Sequence, residues 1–396
     1  VNLSVATPQV VNTNLTLTLS SASAFENILG GSQGDALTGN ANANSLTGNG
    51  GNDVLVGGAG NDTLTGGAGD DVYAFTADSA LGSDTLNEAG GGNDTLDFST
   101  TAGSAVTVNL GLATAQVVNA NLTLTLGSAT TFENVIGGSQ GDTLIGNANA
   151  NTLSGGAGND TLTGGAGNDS LVGGTGDDAY SFVANAALGT DTLDDVDGVD
   201  LLDFSQTTVA ITLDLATAGL QTVNANLKLV LGSGAAFEMV VGSTGNDTID
   251  GNALNNVLIG GAGTDVLHGR DGRDLLFGGS GADTLSGDND DDLLIGGLVT
   301  FYDESTKTLN RQAIAAMMAE WAQTYDPLDH DLDYATRVGH LRTASGGLNG
   351  GYVLDGTTVF DDLSLDNLFG QGGLDWFWKF GGDVADLNNG GSELVN

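Results

Sequence analysis

The sequence predicts an all-β protein: parallel β-roll or β-solenoid modules with Ca²⁺ between their turns, followed by a small α+β C-terminal cap. Three observations predict this fold. A nine-residue unit recurs in phase, with Gly first and a large apolar residue eighth. Segments that alternate apolar and polar residues precede each run of units, as half-buried strands do. The clearest helical pattern comes late, after Gly297.

The nine-residue unit is clearest in residues 48–74, which read GNGGNDVLV, GGAGNDTLT and GGAGDDVYA. Glycines in the first half of a unit permit a tight turn with positive φ. The last three residues alternate polar, apolar and polar, which is typical of a short strand with one face inward. Two units are expected to make one turn of the roll, so each unit stacks on the unit two places further on.

The unit recurs sixteen times in three arrays. Array one begins at Gly30 and array two at Gly137, with five units each, and array three begins at Gly242 with six. A low-complexity Gly/Asn linker would have no reason to keep an apolar residue at every ninth place. The periodicity therefore favours a folded repeat.

The sixth position of the unit carries the candidate metal ligands. Carboxylate and backbone carbonyl oxygens are the ligands that Ca²⁺ prefers. Thirteen units carry aspartate there: Asp35, Asp53, Asp62, Asp71, Asp142, Asp160, Asp169, Asp178, Asp247, Asp265, Asp274, Asp283 and Asp292. The second unit of each array carries asparagine instead: Asn44, Asn151 and Asn256. Pairing units two places apart predicts about seven to ten Ca²⁺ in the arrays, with weaker binding where asparagine replaces a carboxylate.

These repeats resemble those of the RTX family, the calcium-binding secreted proteins that include serralysin-type proteases, bacterial lipases, pore-forming toxins and very large adhesins. The resemblance implies that nine of the sixth-position aspartates are calcium carboxylates: Asp53, Asp62, Asp71, Asp160, Asp169, Asp178, Asp265, Asp274 and Asp283. It also implies type I secretion machinery as a partner and a location outside the cell or at its surface. Units that carry Gln33, Asn42, Leu254 or Asp290 at their fourth position depart from the family pattern. Calcium occupancy beside those residues is less strongly implied.

The charge balance limits the possible partners. The chain has 50 acidic and 8 basic residues, a net charge of −42, and no Lys or Arg before Lys228. Such a chain repels itself unless cations neutralise it. The acidity argues against nucleic acid or an anionic membrane as partner. The chain has no cysteine, and no apolar run approaches the length of a membrane span.

A longer repeat encloses the arrays. Residues 1–19, 108–126 and 213–231 align with one another, and each segment precedes one array. We therefore predict strand-plus-array modules at 1–107, 108–212 and 213–297, followed by a C-terminal cap or secretion region at 298–396. Because Val1 lies within a pattern that recurs later, the sequence is expected to be the C-terminal part of a longer polypeptide.

A second motif links the modules, LGSDTLNEAGGGNDTLDFS at 81–99 and LGTDTLDDVDGVDLLDFS at 188–205. Asp94 lies in a GGGND turn and is a further candidate calcium ligand. The alternative is that these acidic residues are solvated loop carboxylates.

The C-terminal region has a different composition. Ile314, Met317, Met318 and Trp321 form one apolar stripe, which predicts a helix over 312–325 that Pro327 ends. A second helix is expected over about 332–341. The preceding DPLDHDLD is a weak candidate calcium loop, because it lacks the glycine of an EF-hand. The helix and the aromatic run 376–380 could close an open solenoid end. The same region resembles the C-terminal export signal of type I secreted RTX proteins.

The sequence offers no convincing catalytic site. GGSQG at 30–34 and 137–141 matches GxSxG, but a nucleophile elbow needs a following helix, and another nonapeptide follows instead. His268, His330 and His340 have no metal-binding spacing. We therefore predict that the chain is not an enzyme.

The function predicted from the sequence is structural or adhesive, at or outside the cell surface, with self-association into filaments or a surface layer, or binding of cell-surface ligands, as further possibilities. The alternative is a calcium-dependent folding and type I secretion module for an enzyme or toxin encoded upstream. The sequence before Val1 would separate the two, because a catalytic domain there supports the module and further repeats support the structural role.

Overall fold

A computed structural model describes residues 1–88, 90–232, 237–323, 334–343, 349, 352–386 and 394–395. The chain divides into two compact units. Unit 1 contains Val1–Tyr180 and Leu188–Gly198, and unit 2 contains Ser181–Ala187 and Val199–Asn396. Each is described separately below.

The strands of unit 1 are short, and most run parallel to their neighbours. They are β1 Gln9–Asn12, β2 Leu15–Leu17, β3 Asn27–Leu29, β4 Ala36–Thr38, β5 Ser45–Gly50, β6 Val54–Val56, β7 Thr63–Ala68, β8 Val72–Ala74, β9 Gly82–Asn87, β10 Thr95–Asp97, β11 Thr107–Asn109, β12 Gln116–Asn119, β13 Leu122–Leu126, β14 Asn134–Ile136, β15 Thr143–Ile145, β16 Thr152–Ala157, β17 Thr161–Thr163, β18 Ser170–Thr175, β19 Ala179–Ser181 and β20 Gly189–Asp194.

Unit 2 contains the remaining strands and both helices. They are β21 Leu201–Asp203, β22 Thr212–Asp214, β23 Leu220–Thr222, β24 Leu227–Leu231, β25 Met239–Val241, β26 Thr248–Asp250, β27 Val257–Ala262, β28 Val266–Arg270, β29 Leu275–Ser280, β30 Thr284–Asp288, β31 Leu293–Ile295, β32 Leu298–Val299, β33 Tyr302–Asp303, β34 Thr308–Leu309, α1 Arg311–Trp321, α2 Tyr334–Leu341, β35 Val359–Phe360, β36 Asn367–Gln371, β37 Trp376–Trp378, β38 Val384–Asp386 and β39 Leu394–Val395.

The arrays fold as a parallel β-roll, which confirms the predicted fold class. Strand β5 pairs with β7 so that Leu46 lies opposite Leu64, 18 residues later, and β6 pairs with β8 so that Leu55 lies opposite Tyr73. An 18-residue offset means two nonapeptides per turn. The eighth-position side chains point inward and are fully buried, because a strand directs alternate residues to opposite faces.

The linking motif at 81–99 is a layer of the stack in unit 1. Strand β9 pairs with β7 and β10 pairs with β8, but the offsets are 22 and 23 residues instead of 18. The extra residues are accommodated in the turns. Strand β14 then pairs with β10, so the roll continues from array one into array two without a break.

Each longer repeat contributes an antiparallel hairpin: β1 with β2, β12 with β13, and β23 with β24. In unit 1 the hairpins differ in their surroundings. Strand β13 also pairs in parallel with β9, and Leu122 at its start is 1 % exposed. Strands β1 and β2 form a two-stranded sheet, and the aligned Leu15 is 49 % exposed.

In unit 2 the roll continues beyond the sixth unit of array three. Strand β36 pairs with β30 and β37 pairs with β31, after an excursion of the chain through residues 298–360. Trp376 and Trp378 therefore lie in a strand of the stack, whereas the sequence suggested a covering element. Strands β38 and β39 add one further layer.

The predicted first helix is present as α1, with Asn310 at its N-cap, and it ends at Trp321. Ile314, Met317 and Trp321 of the predicted stripe are buried, and Met318 is half-buried. The second helix is α2, and it contacts α1. The DPLDHDLD segment, with Pro327 and His330, lies outside the described residues. No helix in the described part of the chain has the length and apolar character needed to cross a bilayer.

Candidate metal centre

The sixth-position aspartates form ladders along the stacked turns. Asp53 accepts a hydrogen bond on Oδ1 from the backbone N–H of Asp35 at 2.7 Å, and Asp71 accepts one from Asp53 at 2.7 Å. The same bond joins Asp142 to Asp160, Asp160 to Asp178, Asp247 to Asp265, Asp265 to Asp283, and Asp274 to Asp292. Each carboxylate thus fixes the turn two units earlier in the sequence.

The second carboxylate oxygen of most ladder residues has a different environment. Oδ2 is buried without a hydrogen-bond partner among the described residues in Asp53, Asp62, Asp71, Asp160, Asp169, Asp265, Asp274, Asp283 and Asp292. A buried carboxylate oxygen left without a partner is costly. An oxygen in this state is suited to bind a cation.

Burial raises the pKa of these carboxyl groups. The pKa of Asp160 and that of Asp265 rise from 3.8 to about 7, and that of Asp283 rises to about 8, with desolvation as the largest cause. Neighbouring carboxylates raise these pKa values further, because like charges disfavour ionisation. At neutral pH these carboxyl groups therefore either hold protons or need a nearby cation to stay ionised.

The first-position glycines lie beside oxygen atoms of the kind that bind a cation. A Cβ added to Gly48 would lie 1.9 Å from Asp53 Oδ2 and 2.6 Å from the carbonyl oxygen of Gly66. Ca²⁺ binds oxygen ligands at about 2.3–2.6 Å. A carboxylate oxygen and a backbone carbonyl oxygen thus lie close to one point beside Gly48, and the donor set has the hard oxygens that Ca²⁺ requires.

Two kinds of turn occur in the arrays. In the first unit, the backbone N–H of the second residue donates to Oδ2 of the sixth-position aspartate: Gly31 to Asp35 at 2.6 Å, and Gly138 to Asp142 at 2.5 Å. Ser243 donates to Asp247 in the same way. We call these closed turns, because Oδ2 already has a partner.

The predicted asparagine ligands also lie in closed turns. Asn44 accepts from the N–H of Asn40 at 2.7 Å, and its Nδ2 donates to the carbonyl oxygen of Glu26. Asn151 and Asn256 repeat both bonds. The amide groups are satisfied within the protein, which accords with the expectation that these units bind calcium weakly.

The remaining ten units have what we call open turns. Their second residue has a positive φ in every case, including the non-glycine residues Asn49, Arg270 and Asp288, at 77°, 81° and 74°. Gly31 and Gly138 of the closed turns do not have a positive φ. The second-position backbone thus distinguishes turns that leave Oδ2 available from turns that bond it.

The ladder extends past the arrays into the linking motif of unit 1. Asp84 accepts from the N–H of Asp62 at 2.9 Å, and the predicted candidate Asp94 accepts from Asp71 at 2.9 Å. Asp191 bonds Asp169 in the same way. All three are buried, so they are not solvated loop carboxylates.

Three ladder residues near the C-terminus were missed by the sequence analysis. Asp366 accepts from the N–H of Asp283 and Asp375 from that of Asp292, each at 2.9 Å, and Asp383 accepts from Asp366 at 3.2 Å. A signal was present, since residues 370–378 read GQGGLDWFW, with Gly first and fourth, Asp sixth and Phe eighth.

The source of positive charge differs between the units. Arg270 of unit 2 forms ion pairs with Asp214 at 2.8 Å and with Asp250 at 3.5 Å. The sequence of unit 1 contains no Lys, Arg or His. Its buried carboxylates therefore cannot be neutralised by basic side chains of the same unit.

Comparison with known proteins identifies the arrays. The family model of the RTX calcium-binding nonapeptide repeat (4 copies) matches residues 29–64, 38–73, 136–171, 145–180, 241–276 and 268–298. None of the curated proteins compared with the chain matches it significantly. A solved structure that matches is the hyperactive, Ca²⁺-dependent, β-helical antifreeze protein from an Antarctic bacterium. The identity is 19 %, with 71 % of this chain and 82 % of that chain covered and a TM-score of 0.24.

Proposed function

The three arrays are RTX calcium-binding nonapeptide repeats, and from this premise we propose that the protein is a secreted structural or adhesive protein whose fold is held together by calcium. Bound Ca²⁺ would supply the positive charge that the ladders need and would bind oxygens of successive turns. The residues proposed to bind it are the open-turn aspartates together with the first-position carbonyl groups.

The observation that carries this proposal is the set of buried Oδ2 atoms in unit 1. Asp53, Asp62 and Asp71 each leave Oδ2 without a partner among the described residues, in a unit whose sequence lacks basic side chains. Folding such a stack without cations would bury uncompensated negative charge. Metal binding is therefore expected to be coupled to folding.

An extracellular location accords with this chemistry. Extracellular calcium modules bind with Kd values of about 10⁻⁴–10⁻³ M, a range in which calcium outside cells can hold the fold and low calcium inside cells leaves the chain unfolded. The chain also has no cysteine, so calcium takes the stabilising role that disulfides have in many secreted proteins.

We propose a non-enzymatic role. Ser32 and Ser139 of the two GGSQG segments lie in turns that lead into strands β4 and β15, where a nucleophile elbow leads into a helix. His268 lies 3.7 Å from Asp288, and His340 lies 2.8 Å from Glu320. These pairs have no nucleophile within the contacts described.

Within the structural role, we propose that the protein associates with itself through the first hairpin. The hairpin of β1 and β2 exposes Val10 and Leu15, whereas the aligned Leu122 is covered by pairing of β13 with β9. Exposed strand edges pair readily with further strands. Lateral or end-to-end addition of strands at this hairpin would support filaments or a surface layer.

One set of measurements on the full chain tests the proposal. After removal of calcium by chelation, we expect loss of the strand signal in circular dichroism, and calcium should restore it together with binding of several Ca²⁺ by native mass spectrometry. Strand content that is complete in chelator would overturn the calcium-dependent fold. Light scattering and adsorption to cell surfaces, with and without calcium, then test the structural role. A calcium-loaded chain that neither assembles nor binds surfaces would favour the alternative, a folding and secretion module for an upstream protein.

A further inference from the structure

The eighth position of the repeat contains an exception at the end of two arrays. Fourteen of the sixteen units carry Leu or Ile there, but the last units of arrays one and two carry Tyr73 and Tyr180. Both are fully buried in the core. A buried hydroxyl group needs hydrogen-bond partners. These two units must therefore supply polar partners that the units with Leu or Ile do not need.

The partner of Tyr73 is a carboxylate from outside the repeat. The hydroxyl group of Tyr73 donates to Glu88 Oε2 at 2.6 Å and accepts from the backbone N–H of Gly66 at 2.7 Å. Glu88 belongs to the turn between β9 and β10, and its Oε1 also accepts from Gly67 at 3.3 Å. Tyr73 thus holds Glu88 over the turn of the last unit.

Glu88 points into the same space as a ladder carboxylate. A Cβ added to Gly66 would lie 2.2 Å from Asp71 Oδ2 and 2.6 Å from Glu88 Oε2. Asp94 contributes a third carboxylate, and single oxygens of Asp71, Glu88 and Asp94 lie within 4.8 Å of one another. All three residues are at least nine-tenths buried, and Oδ2 of Asp71 has no hydrogen-bond partner among the described residues.

We propose that Glu88 and Asp94 join the open-turn Asp71 in a metal site at the end of array one, the junction site, which binds a hard divalent cation such as Ca²⁺. Two further acidic residues adjoin the cluster. The backbone N–H of Asp53 donates to Asp71, and Glu133 accepts from the N–H of Asp94 at 3.0 Å. The sequence of unit 1 supplies no basic side chain to balance them. Three carboxylates this close must either bind protons or be neutralised by a cation.

The junction site differs from a site within an array. A first-position glycine and an aliphatic eighth residue leave an array site with ladder carboxylates and backbone carbonyls alone. The junction adds a third carboxylate and a tyrosine that orients it. Because calcium affinity rises with the number of charged ligands and with the rigidity of the site, the junction is expected to bind more tightly than the array sites and to fill first.

Array two repeats this arrangement. Tyr180 donates to Asp195 Oδ2 at 2.7 Å and accepts from Gly173 at 2.7 Å. A Cβ added to Gly173 would lie 2.3 Å from Asp178 Oδ2 and 2.5 Å from Asp195 Oδ2. Tyrosine and an added carboxylate thus occur together twice, although the turns differ in length and one uses Glu where the other uses Asp.

Terbium provides a specific test, because Tb³⁺ prefers the same hard oxygen ligands as Ca²⁺ and emits when an adjacent tyrosine transfers energy to it. Tb³⁺ is titrated into the calcium-free full chain while tyrosine is excited. The difference in emission between the wild type and Y73F is the part that Tyr73 sensitises. We expect E88Q to raise the Tb³⁺ concentration that this emission requires by about tenfold or more, because the site loses one charged ligand. D70N is the matched control, since Asp70 is the exposed neighbour of Asp71, and it should leave the emission unchanged.

Calcium counting completes the test. Native mass spectrometry at low calcium should show one fewer Ca²⁺ in E88Q than in the wild type, and Y73F should weaken binding by about 10- to 100-fold while preserving the ring. D195N repeats the measurement at the second junction. If E88Q and Y73F both keep the emission and the calcium count while calcium still folds the chain, the junction site is overturned and the proposed function stands. If calcium neither folds the chain nor binds to it, the proposed function fails as well.

Discussion

Asp71 accepts a hydrogen bond on Oδ1 from the backbone N–H of Asp53, 2.7 Å away and 18 residues earlier, while its Oδ2 is buried without a partner among the described residues. One carboxylate therefore has two tasks. One oxygen aligns consecutive turns of the roll, and the other is available to a cation between them. Loss of the charge should affect the second task more than the first, because an amide oxygen can still accept the backbone bond.

The first prediction compares D53N with D35N. Asp53 lies in an open turn and Asp35 in a closed turn, where Oδ2 accepts from Gly31. D53N should lose one bound Ca²⁺ and unfold at a lower temperature in calcium. D35N should change little, because Asn44 already occupies the equivalent place of the next unit with the same bond. Calcium counting and thermal melting of both variants check this. Equal losses in the two variants would show that open and closed turns bind calcium alike.

The second prediction concerns the first-position glycine. In G48A the added Cβ would lie 1.9 Å from Asp53 Oδ2, so the carboxylate must move out of the space proposed for calcium. We expect a loss of about 1–3 kcal/mol in unfolding free energy and one fewer bound Ca²⁺. G50A is the matched control, because its Cβ meets nothing nearer than 3.9 Å. Denaturant unfolding in saturating calcium measures both, and a G48A protein as stable as G50A would contradict the predicted cation space.

Much of this fold could be predicted from the sequence, because the nine-residue period determines the geometry of the repeat. The ninefold period sets two units per turn, and the inward positions of Leu46, Leu64 and Tyr73 follow from it. The ladder aspartates were also predictable from their position. The period does not predict the backbone conformation of each turn. Asn49 and Arg270 adopt positive φ although neither is glycine, so the stacked neighbours, and not the local residue, set that conformation.

Two further features depend on contacts that could not be predicted from the spacing of residues in the sequence. Asp375 stacks on Asp292, 83 residues earlier, because residues 298–360 leave the roll and the chain then returns to it. Glu88 lies in a turn of irregular length, and only folding brings it beside Tyr73. The period in the sequence is interrupted at both places, whereas the stack in space is continuous.

The third prediction follows from the raised pKa values. Burial raises the pKa of Asp84, and likewise that of Asp160 and Asp265, from 3.8 to about 7 in the calcium-free fold. The folded state therefore holds these protons more tightly than the unfolded state. Their contribution to stability is complete below about pH 4 and is lost as pH rises to about 7. In chelator, strand content should rise when the pH is lowered from about 8 to about 5.5.

Calcium should reverse this pH dependence, because protons compete with Ca²⁺ for the same carboxylates. The calcium concentration needed for folding should increase as the pH falls below about 7. Circular dichroism of calcium titrations at several pH values measures this. A midpoint that is independent of pH would show that the raised pKa values do not belong to the calcium ligands.

The fourth prediction compares the same leucine position in two copies of the long repeat. Leu122 is 1 % exposed and Leu15, 107 residues earlier at the aligned place, is 49 % exposed. L122A should lower the unfolding free energy by about 2–5 kcal/mol, as expected for a buried leucine. L15A should change it by no more than about 0.5 kcal/mol. Denaturant unfolding of the two variants in calcium checks this. Similar losses would show that the first hairpin is covered in solution, which would itself support self-association there.

The last prediction concerns the contact of α1 with the end of array three. Trp321 is fully buried, its Nε1 donates to the carbonyl oxygen of Asp291 at 2.9 Å, and its ring centroid lies 6.4 Å from that of Trp376. The guanidinium group of Arg337 lies 4.9 Å from the Trp321 ring and donates to Asp291. These contacts join both helices to the last turn of the array.

W321A should therefore lower the unfolding free energy of unit 2 by about 3–5 kcal/mol, because it removes a buried indole and leaves a cavity. L363A is the control, since Leu363 is 88 % exposed and its loss should matter little. Calcium counting should give the same number for both variants, because Trp321 contributes no ligand. A melting temperature equal to that of L363A would show that α1 does not stabilise the last turn of array three. A lowered melting temperature with full calcium binding would show that α1 stabilises the last turn of array three through packing, so that an export function of residues 298–396 would be additional to this structural one.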